Sequence, residues 1–267
     1  MALVLFLSVR TVKADQKTTF NSADQSQETS SIQMRAPYKL PIETFGAIDL
    51  GFESSKQGGT SSERMVSGGN KASILGIKAQ QYIAKDLKTG FWLELGFSAD
   101  SGTGYTNNQT SSTNGDGLIF NRRTTVSLLG SNWGEFRLGR DVTPLLINIG
   151  SADPFALAGI GSAAIILSAS HSMWSGSMTS IRASNGIQYL TPETKEGFFS
   201  QLMYALGENP SNSTTSTGEI KSTKDDGKHL SGRIGYIAEN MHVSLAHGFS
   251  KAASTGDIST TSIAGSY

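Results

Sequence analysis

The stretch FWLELGF, residues 91–97, alternates between two kinds of side chain. One parity is entirely apolar and consists of Phe91, Leu93, Leu95 and Phe97. The other parity carries Trp92, Glu94 and Gly96. Because successive side chains of a strand point to opposite faces, the pattern predicts a strand with one apolar face and one face that bears a carboxylate. A soluble sandwich would bury the apolar face, whereas a membrane barrel would turn it toward lipid and keep Glu94 in water.

The composition favours a barrel with a wet interior. Only 37% of the 267 residues are hydrophobic, which suits strands that need to be apolar on one side alone. Lys+Arg and Asp+Glu both total 22, so no bulk charge attracts nucleic acid, and any electrostatic function must arise from local placement. The absence of cysteine excludes disulfides and thiolate metal sites.

The N-terminal region carries a candidate export signal. The apolar run ALVLFLSV (2–9) precedes Val12 and Ala14, which occupy the −3 and −1 positions of a small-residue cleavage site. We therefore interpret 1–14 as a signal peptide and the polar segment 15–42 as an extension, although a buried N-terminal strand is an alternative for the first segment. Export, absent cysteine and alternating strands together indicate a Gram-negative outer membrane.

Ten alternating segments follow, at 43–53, 73–82, 91–98, 122–130, 134–140, 180–190, 198–206, 229–238, 241–250 and 262–267. Short connections alternate with long polar ones, and aromatic residues cluster beside the short turns. This arrangement is typical of an all-β, antiparallel up-and-down membrane barrel and has no counterpart in a soluble sandwich.

The connection 141–180 differs from the other long ones because it is rich in apolar residues. A long apolar segment needs a surface to pack against. We expect it to fold into the barrel interior, with a short helix over 163–168.

Several stretches resemble the trimeric general-diffusion porins of β-proteobacteria, and most of all their anion-selective branch. They are FNRRTTVSLLGSNWGEFRLGRDVTP (120–144), ETFGAIDLGFE (43–53), DLKTGFWLELGF (86–97) and IRASNGIQYLTPETKEGFFSQLMYALGE (181–208). The resemblance covers 43–267 and implies a transmembrane barrel of about 16 strands in a homotrimer, with the third loop, here 141–180, folded into the lumen as a constriction. Since the chain holds about ten strand segments, it is expected to be a fragment of such a barrel.

The resemblance also implies a site. It places lumen arginines at the pair Arg122–Arg123 and at Arg182, and it points to Arg122 where strand parity favours Arg123. A bulge would reconcile the two. The third arginine of the family falls at Ile74, and Lys78 on the same wall partly replaces it. The remaining pore-lining candidates are acidic: Asp49 and Glu94 by parity, and Asp141 and Asp153 in the inward loop.

The function implied is passive diffusion of small hydrophilic solutes, with a preference for small anions, across the outer-membrane lipid. No cofactor, metal or nucleic-acid partner is expected. A barrel enzyme and an adhesion or structural barrel are alternatives, but no catalytic set of residues can be placed on strand ends. The lumen arginines could also be solvated residues without a selective role.

Overall fold

The computed structural model describes residues 41–104, 120–159, 161–163, 179–192, 194–207, 209–215, 218–253 and 256–267. The predicted signal peptide, nearly all of the predicted extension 15–42 and all but the first residue of the expected helix 163–168 lie outside these ranges.

Twelve strands and one helix occur in the described residues. In chain order they are β1 (Ile42–Ala47), β2 (Leu50–Gln57), β3 (Thr60–Ser67), β4 (Ile74–Ala84), β5 (Leu87–Gly96), β6 (Arg123–Gly130), β7 (Gly134–Val142), α1 (Pro144–Ser151), β8 (Arg182–Leu190), β9 (Gly197–Ala205), β10 (His229–Ala238), β11 (Met241–Ser250) and β12 (Ile258–Ser266). Ten of the strands form one antiparallel sheet in the order β1-β4-β5-β6-β7-β8-β9-β10-β11-β12. In the described residues β1 and β12 are its two edges. The predicted up-and-down arrangement is confirmed.

The prediction of one strand over 43–53 is wrong. β1 ends at Ala47, and β2 pairs with β3 in a separate two-stranded hairpin. The turn between them is Gly58–Gly59, with φ of 57° and 87°. Positive φ at both central residues is what a tight hairpin turn requires, and glycine adopts it without strain. The polar connection therefore contains a hairpin that stands on the long-loop end of the sheet.

The two faces of the sheet have opposite character. Exposed apolar side chains cover the outer face, among them Val126, Leu138, Ile187, Leu202, Ile234, Leu245 and Ile263. Polar side chains are buried on the inner face, among them Thr125, Ser127, Arg137, Gln188, Gln201, Ser231 and Ser244. A soluble sandwich would show the reverse, so the membrane-type sheet is the one that this sequence forms.

Strand β5 follows this alternation with one departure. Trp92 and Glu94 lie on the inner face, where the Trp92 indole Nε1 donates to Glu94 Oε2 at 3.1 Å. On the other face Leu95 is only 8% exposed, although its cross-strand neighbour Leu75 is 53% exposed. The chain entering β6 runs beside this end of β5, because the Asn121 side chain hydrogen-bonds both backbone groups of Gly96. Leu95 is thus not the open lipid-facing position that its parity predicts.

Aromatic side chains meet near the short turns. Trp133 contacts Phe136, and Phe136 contacts Tyr189, with ring centroids 5.6 and 5.1 Å apart. Phe198 meets Tyr236 edge-on at 4.9 Å. Rings at this level suit a membrane–water interface, since one edge can remain wet. Among the described residues no helix is long and apolar enough to span a membrane.

The outer face makes a testable prediction at Ile234, which is exposed on β10. Ile234→Arg should lower the free energy of unfolding in lipid vesicles by about 2–4 kcal/mol, because a charge on the lipid face is costly near mid-membrane depth. Ile234→Leu is the matched control and should unfold like the unsubstituted protein in a urea titration. Equal stability of the Arg and Leu variants would show that this face does not meet lipid.

Candidate functional site

The chain leaves β7 and turns at once into helix α1. Thr143 is the N-cap: its Oγ1 accepts from the backbone N–H of Leu146 at 3.2 Å, and Pro144 occupies the first helical position. Both are favourable at a helix start, since the hydroxyl satisfies a free N–H and proline has none to satisfy. The helix thus begins some twenty residues before the one that was expected.

Helix α1 lies against the inner face of the sheet. Leu145 is fully buried, and its side chain sits over Gly248 of β11, where a Cβ would come within 3.3 Å of Leu145 Cδ2. The Asn148 amide donates to the hydroxyl of Ser262 on β12 at 3.0 Å and to its carbonyl at 3.2 Å. One apolar contact and one polar contact therefore hold the helix across β11 and β12.

The loop beyond α1 turns back on itself around Asp153. The carboxylate of Asp153 accepts from the backbone N–H groups of Phe155, Leu157 and Ala163, at 2.9, 2.9 and 3.0 Å. Desolvation raises the pKa of Asp153, but the three N–H donors lower it by more, and the pKa lies below its ordinary value. This carboxylate, predicted to line the pore, is engaged in shaping the loop.

The tip of the loop touches the base of the β2–β3 hairpin. Gly159 has φ of 65°, and a Cβ there would lie 2.6 Å from the carbonyl oxygen of Gly69. Asp49 braces the same hairpin base, since its carboxylate accepts from the N–H groups of Asn70 and Lys71. Asp49 was predicted as a lumen charge by parity, but it lies in the bend between β1 and β2, where alternation is interrupted.

Between the loop and the wall lies a cavity of about 820 Å³. Its wall side includes Arg122, Arg182, Lys71 and Ile74, and its loop side is residues 154–159 and Gly161. Two of the arginines expected from the sequence thus share one cavity, together with the isoleucine at the position where the family pattern has a third.

The two cavity arginines have different surroundings. Arg122 Nε lies 2.5 Å from Glu94 Oε1 in an ion pair. The side chain of Arg182 has no hydrogen bond or ion pair with any described residue, although its backbone pairs with Val142 in the sheet. Glu94 therefore offsets one of the two positive charges directly, and the charge of Arg182 faces the cavity without a partner carboxylate within 4 Å in the described structure.

Arg123 lies on the inner face of the sheet, but it is not among the residues that line the cavity. Its guanidinium lies 4.4 Å from the centre of the Trp92 ring and its Nε 3.6 Å from Asp141. Arg122 precedes the first residue of β6, so strand alternation does not constrain it. Both members of the pair reach the inner side because the strand begins between them, and no bulge is needed.

Further charged residues of the wall were not among the sequence candidates. Arg137 lies between Glu135 Oε2 at 2.8 Å and Asp141 Oδ2 at 2.6 Å. Arg140 donates to the Asn121 carbonyl at 2.7 Å and to Ser184 Oγ at 3.0 Å. Parity could have indicated Glu135 and Arg137, but not Arg140, because the register shifts at the bulge beside Gly139.

The polar network continues across the neighbouring strands. Gln188 donates to Asp141 at 3.4 Å, Gln201 donates to Gln188 at 2.8 Å, and Arg233 donates to Gln201 at 3.0 Å. At the other side Lys78 lies 3.2 Å from Glu43 and 4.9 Å from the Trp92 ring centre. The inner wall is therefore a connected polar surface from β4 to β10. It contains no cluster of three potential metal ligands within the described ranges.

Comparison with known proteins gives this wall its context. Residues 19–267 match the family model described as Gram-negative porin. The chain belongs to the Gram-negative porin family. The predicted resemblance is thereby confirmed.

Individual relatives support the same placement. The chain is 30% identical over 221 residues to outer membrane porin protein 32 of Delftia acidovorans, across 80% of this chain and 56% of that protein. It is 26% identical over 183 residues to an outer membrane porin protein of Bordetella pertussis, across 68% of this chain and 43% of that protein. The solved anion-selective porin from Comamonas acidovorans aligns with a TM-score of 0.67 at 28% identity, covering 86% of this chain and 64% of that one. The chain thus spans about half the length of the curated relatives that it matches.

The anchoring of α1 can be tested at Asn148. Asn148→Ala removes both hydrogen bonds to Ser262, and a hydrogen bond of this kind contributes about 1 kcal/mol. We expect amide exchange in 144–151 to become roughly three- to tenfold faster, as followed by hydrogen–deuterium exchange mass spectrometry.

Ser151→Ala is the control on the same helix, because among the described residues the Ser151 hydroxyl donates only to the Asn148 carbonyl, within the helix. It should leave exchange in the first turns of α1 unchanged. Equal exchange in the Asn148→Ala and Ser151→Ala variants would mean that β12 does not hold the helix.

Proposed function

We propose that the protein is an outer-membrane channel for the passive diffusion of small hydrophilic solutes and ions, with a preference for anions, and that it acts as a homotrimer. The observation that carries the proposal is the excess of arginine on the inner wall and in the cavity beneath the inward loop. The porin relatives support it by name, and those names do not favour the enzymatic or adhesive alternatives.

The excess is local, because the whole chain has a formal charge of zero. The arginines on the inner side of β6 to β10 and in the cavity are Arg122, Arg123, Arg137, Arg140, Arg182 and Arg233. The acidic residues that meet them are Glu94, Glu135 and Asp141. Six arginines and three carboxylates leave a formal charge of +3 on this set of described residues, and the Lys78–Glu43 pair adds no net charge to it.

The position of these charges strengthens their effect on a passing ion. Low-dielectric walls confine the field of a charge, so a small ion near the wall gains more than it would in bulk water. The guanidinium group remains ionised at all working pH values, so the preference should not depend on protonation of the arginines. Arg182 is the strongest candidate because no described carboxylate lies within ion-pair distance of it, whereas Arg122 is paired with Glu94.

Neighbouring residues modulate this field. Ile74 lines the same cavity as Arg122 and Arg182 without contributing charge. Lys78 is paired with Glu43 and lies over the Trp92 ring, so it offsets the missing charge only in part. We infer that the preference for anions is weaker than a third cavity arginine would give.

Selectivity can be measured as the zero-current potential across a KCl gradient in a planar bilayer. Arg182→Gln should lower the chloride-to-potassium permeability ratio by about two- to fivefold, since a charge at about 4 Å contributes about 1 kcal/mol even in water. Ile74→Arg should raise the ratio. Both effects should shrink as salt rises toward about 1 M, where the Debye length falls to about 3 Å.

Arg64→Gln is the matched control. Arg64 lies on the β2–β3 hairpin, is exposed and pairs with Glu53, so the same loss of charge occurs outside the lumen. It should leave the potential unchanged. A channel whose potential responds equally to Arg64→Gln and Arg182→Gln would contradict the selective role of the cavity, and absence of current would contradict the channel itself.

A further inference from the structure

Three planar groups meet on the inner face of β9, β10 and β11. The ring of Phe199 lies over Gly235, where a Cβ would come within 2.4 Å of Phe199 Cζ. The guanidinium carbon of Arg233 is 5.1 Å from the centre of the same ring. The imidazole of His242 stacks with the ring at a centroid distance of 5.6 Å and an interplanar angle of 8°. We call Phe199, Arg233 and His242 the lumen platform.

The lumen platform lies away from the inward loop. Strand β10 begins at His229, whose ring lies close to Gly248 at the point where Leu145 of α1 packs. Arg233 is four residues further along β10, about 14 Å at the rise of an antiparallel strand. His242 is the second residue of β11, directly after the short turn that follows β10. A solute that has passed the loop would therefore meet the platform near the short-turn end.

Arg233 is held in place but not neutralised. Its Nε donates to Gln201 Oε1 at 3.0 Å, and Gln201 in turn donates to Gln188. No carboxylate of the described residues lies within 4 Å of it, in contrast to Arg137, which contacts two. The terminal nitrogens of Arg233 make no hydrogen bond to described residues. They remain available to an anion beside the aromatic ring.

We propose that the lumen platform is a second solute subsite that binds planar aromatic carboxylates. The carboxylate would accept hydrogen bonds from Arg233, and the aromatic ring of the solute would pack against Phe199 and His242. An inorganic anion could use only the charge. The proposal rests on the proposed channel function for its access to solute, but the binding itself does not require current.

Packing of an aromatic ring over a strand glycine is also a purely structural device. It accounts for Phe199 over Gly235. It does not account for an arginine beside that ring that no described carboxylate contacts, whereas Arg137 on the same wall is paired with two carboxylates. The unneutralised cation is what points to a ligand.

The test compares benzoate with cyclohexanecarboxylate, two acids of similar size and equal charge of which only the first has a planar ring. Binding to the full-length protein in detergent micelles is measured by saturation-transfer NMR titration. We expect benzoate to bind about three- to tenfold more tightly, and Phe199→Leu to abolish the difference. Phe198→Leu is the matched control, because Phe198 is the adjacent phenylalanine on the outer face and is 76% exposed.

A second pair of variants keeps the proposal testable if Phe199→Leu does not fold. Arg233→Gln should weaken both acids, whereas Arg233→Lys should retain charge-based binding of cyclohexanecarboxylate and lose most of the preference for benzoate. Equal binding of the two acids to the unsubstituted protein, or an unchanged preference in both Phe199→Leu and Arg233→Lys, would overturn the subsite.

A bilayer measurement separates this subsite from the channel. In KCl the single-channel conductance of Phe199→Leu should match that of the unsubstituted protein. Benzoate added on the short-turn side should reduce the current through Phe199→Leu less than it reduces the current through the unsubstituted protein. Absence of current with intact benzoate preference would defeat the channel function and leave the subsite standing. Current with no benzoate preference would do the opposite.

Discussion

The rest of the structure depends on one constraint: a backbone that meets lipid on one side must pair all of its polar groups within the sheet. An antiparallel ladder satisfies this requirement and fixes side-chain alternation at the same time. One parity then meets lipid and the other meets water, which is why buried polar side chains coexist with exposed leucines and isoleucines. The low hydrophobic content follows from the same constraint, since only one side of each strand has to be apolar.

On the inner face of the sheet, Asp141 lies at the centre of the network of charged side chains. It is 2% exposed and accepts from Arg137, and it lies within 4 Å of Arg123 as well. An isolated buried carboxylate would be costly, whereas one shared by two guanidinium groups is compensated. Its backbone continues into Thr143, the cap of α1, so the charge network and the start of the inward loop are tied together. The wall thus contains arginines that are paired with carboxylates, such as Arg137, and also Arg182, which lines the cavity with no described carboxylate within 4 Å.

Most of the sheet could be predicted from the sequence because alternation acts over whole strands. Each of the ten strands of the main sheet overlaps one alternating segment, although the segment 43–53 runs past the end of β1, and β5 and β12 begin four residues before their segments. Features that depend on one or two residues were harder to predict from the sequence. Helix α1 was not predicted although Thr143–Pro144 is a good helix start, and the β2–β3 hairpin was hidden in a polar stretch. Within the site, Arg122 and Arg182 were reached through family resemblance. Arg140 could not be predicted from strand parity either, because the bulge next to Gly139 interrupts the alternation of side chains.

The contacts that place the loop differ from the charges that line it. Glycines make room at two of them: Gly248 admits Leu145, and Gly159 approaches Gly69 where a side chain would clash. None of these four residues carries charge, so substitutions at them need not alter the field of the wall arginines. At these two contacts the loop fits because glycine leaves space, whereas the local potential comes from guanidinium groups on neighbouring strands. Substitutions at these glycines can therefore change the bore of a channel without changing its charge preference, because no charged group takes part in these two contacts.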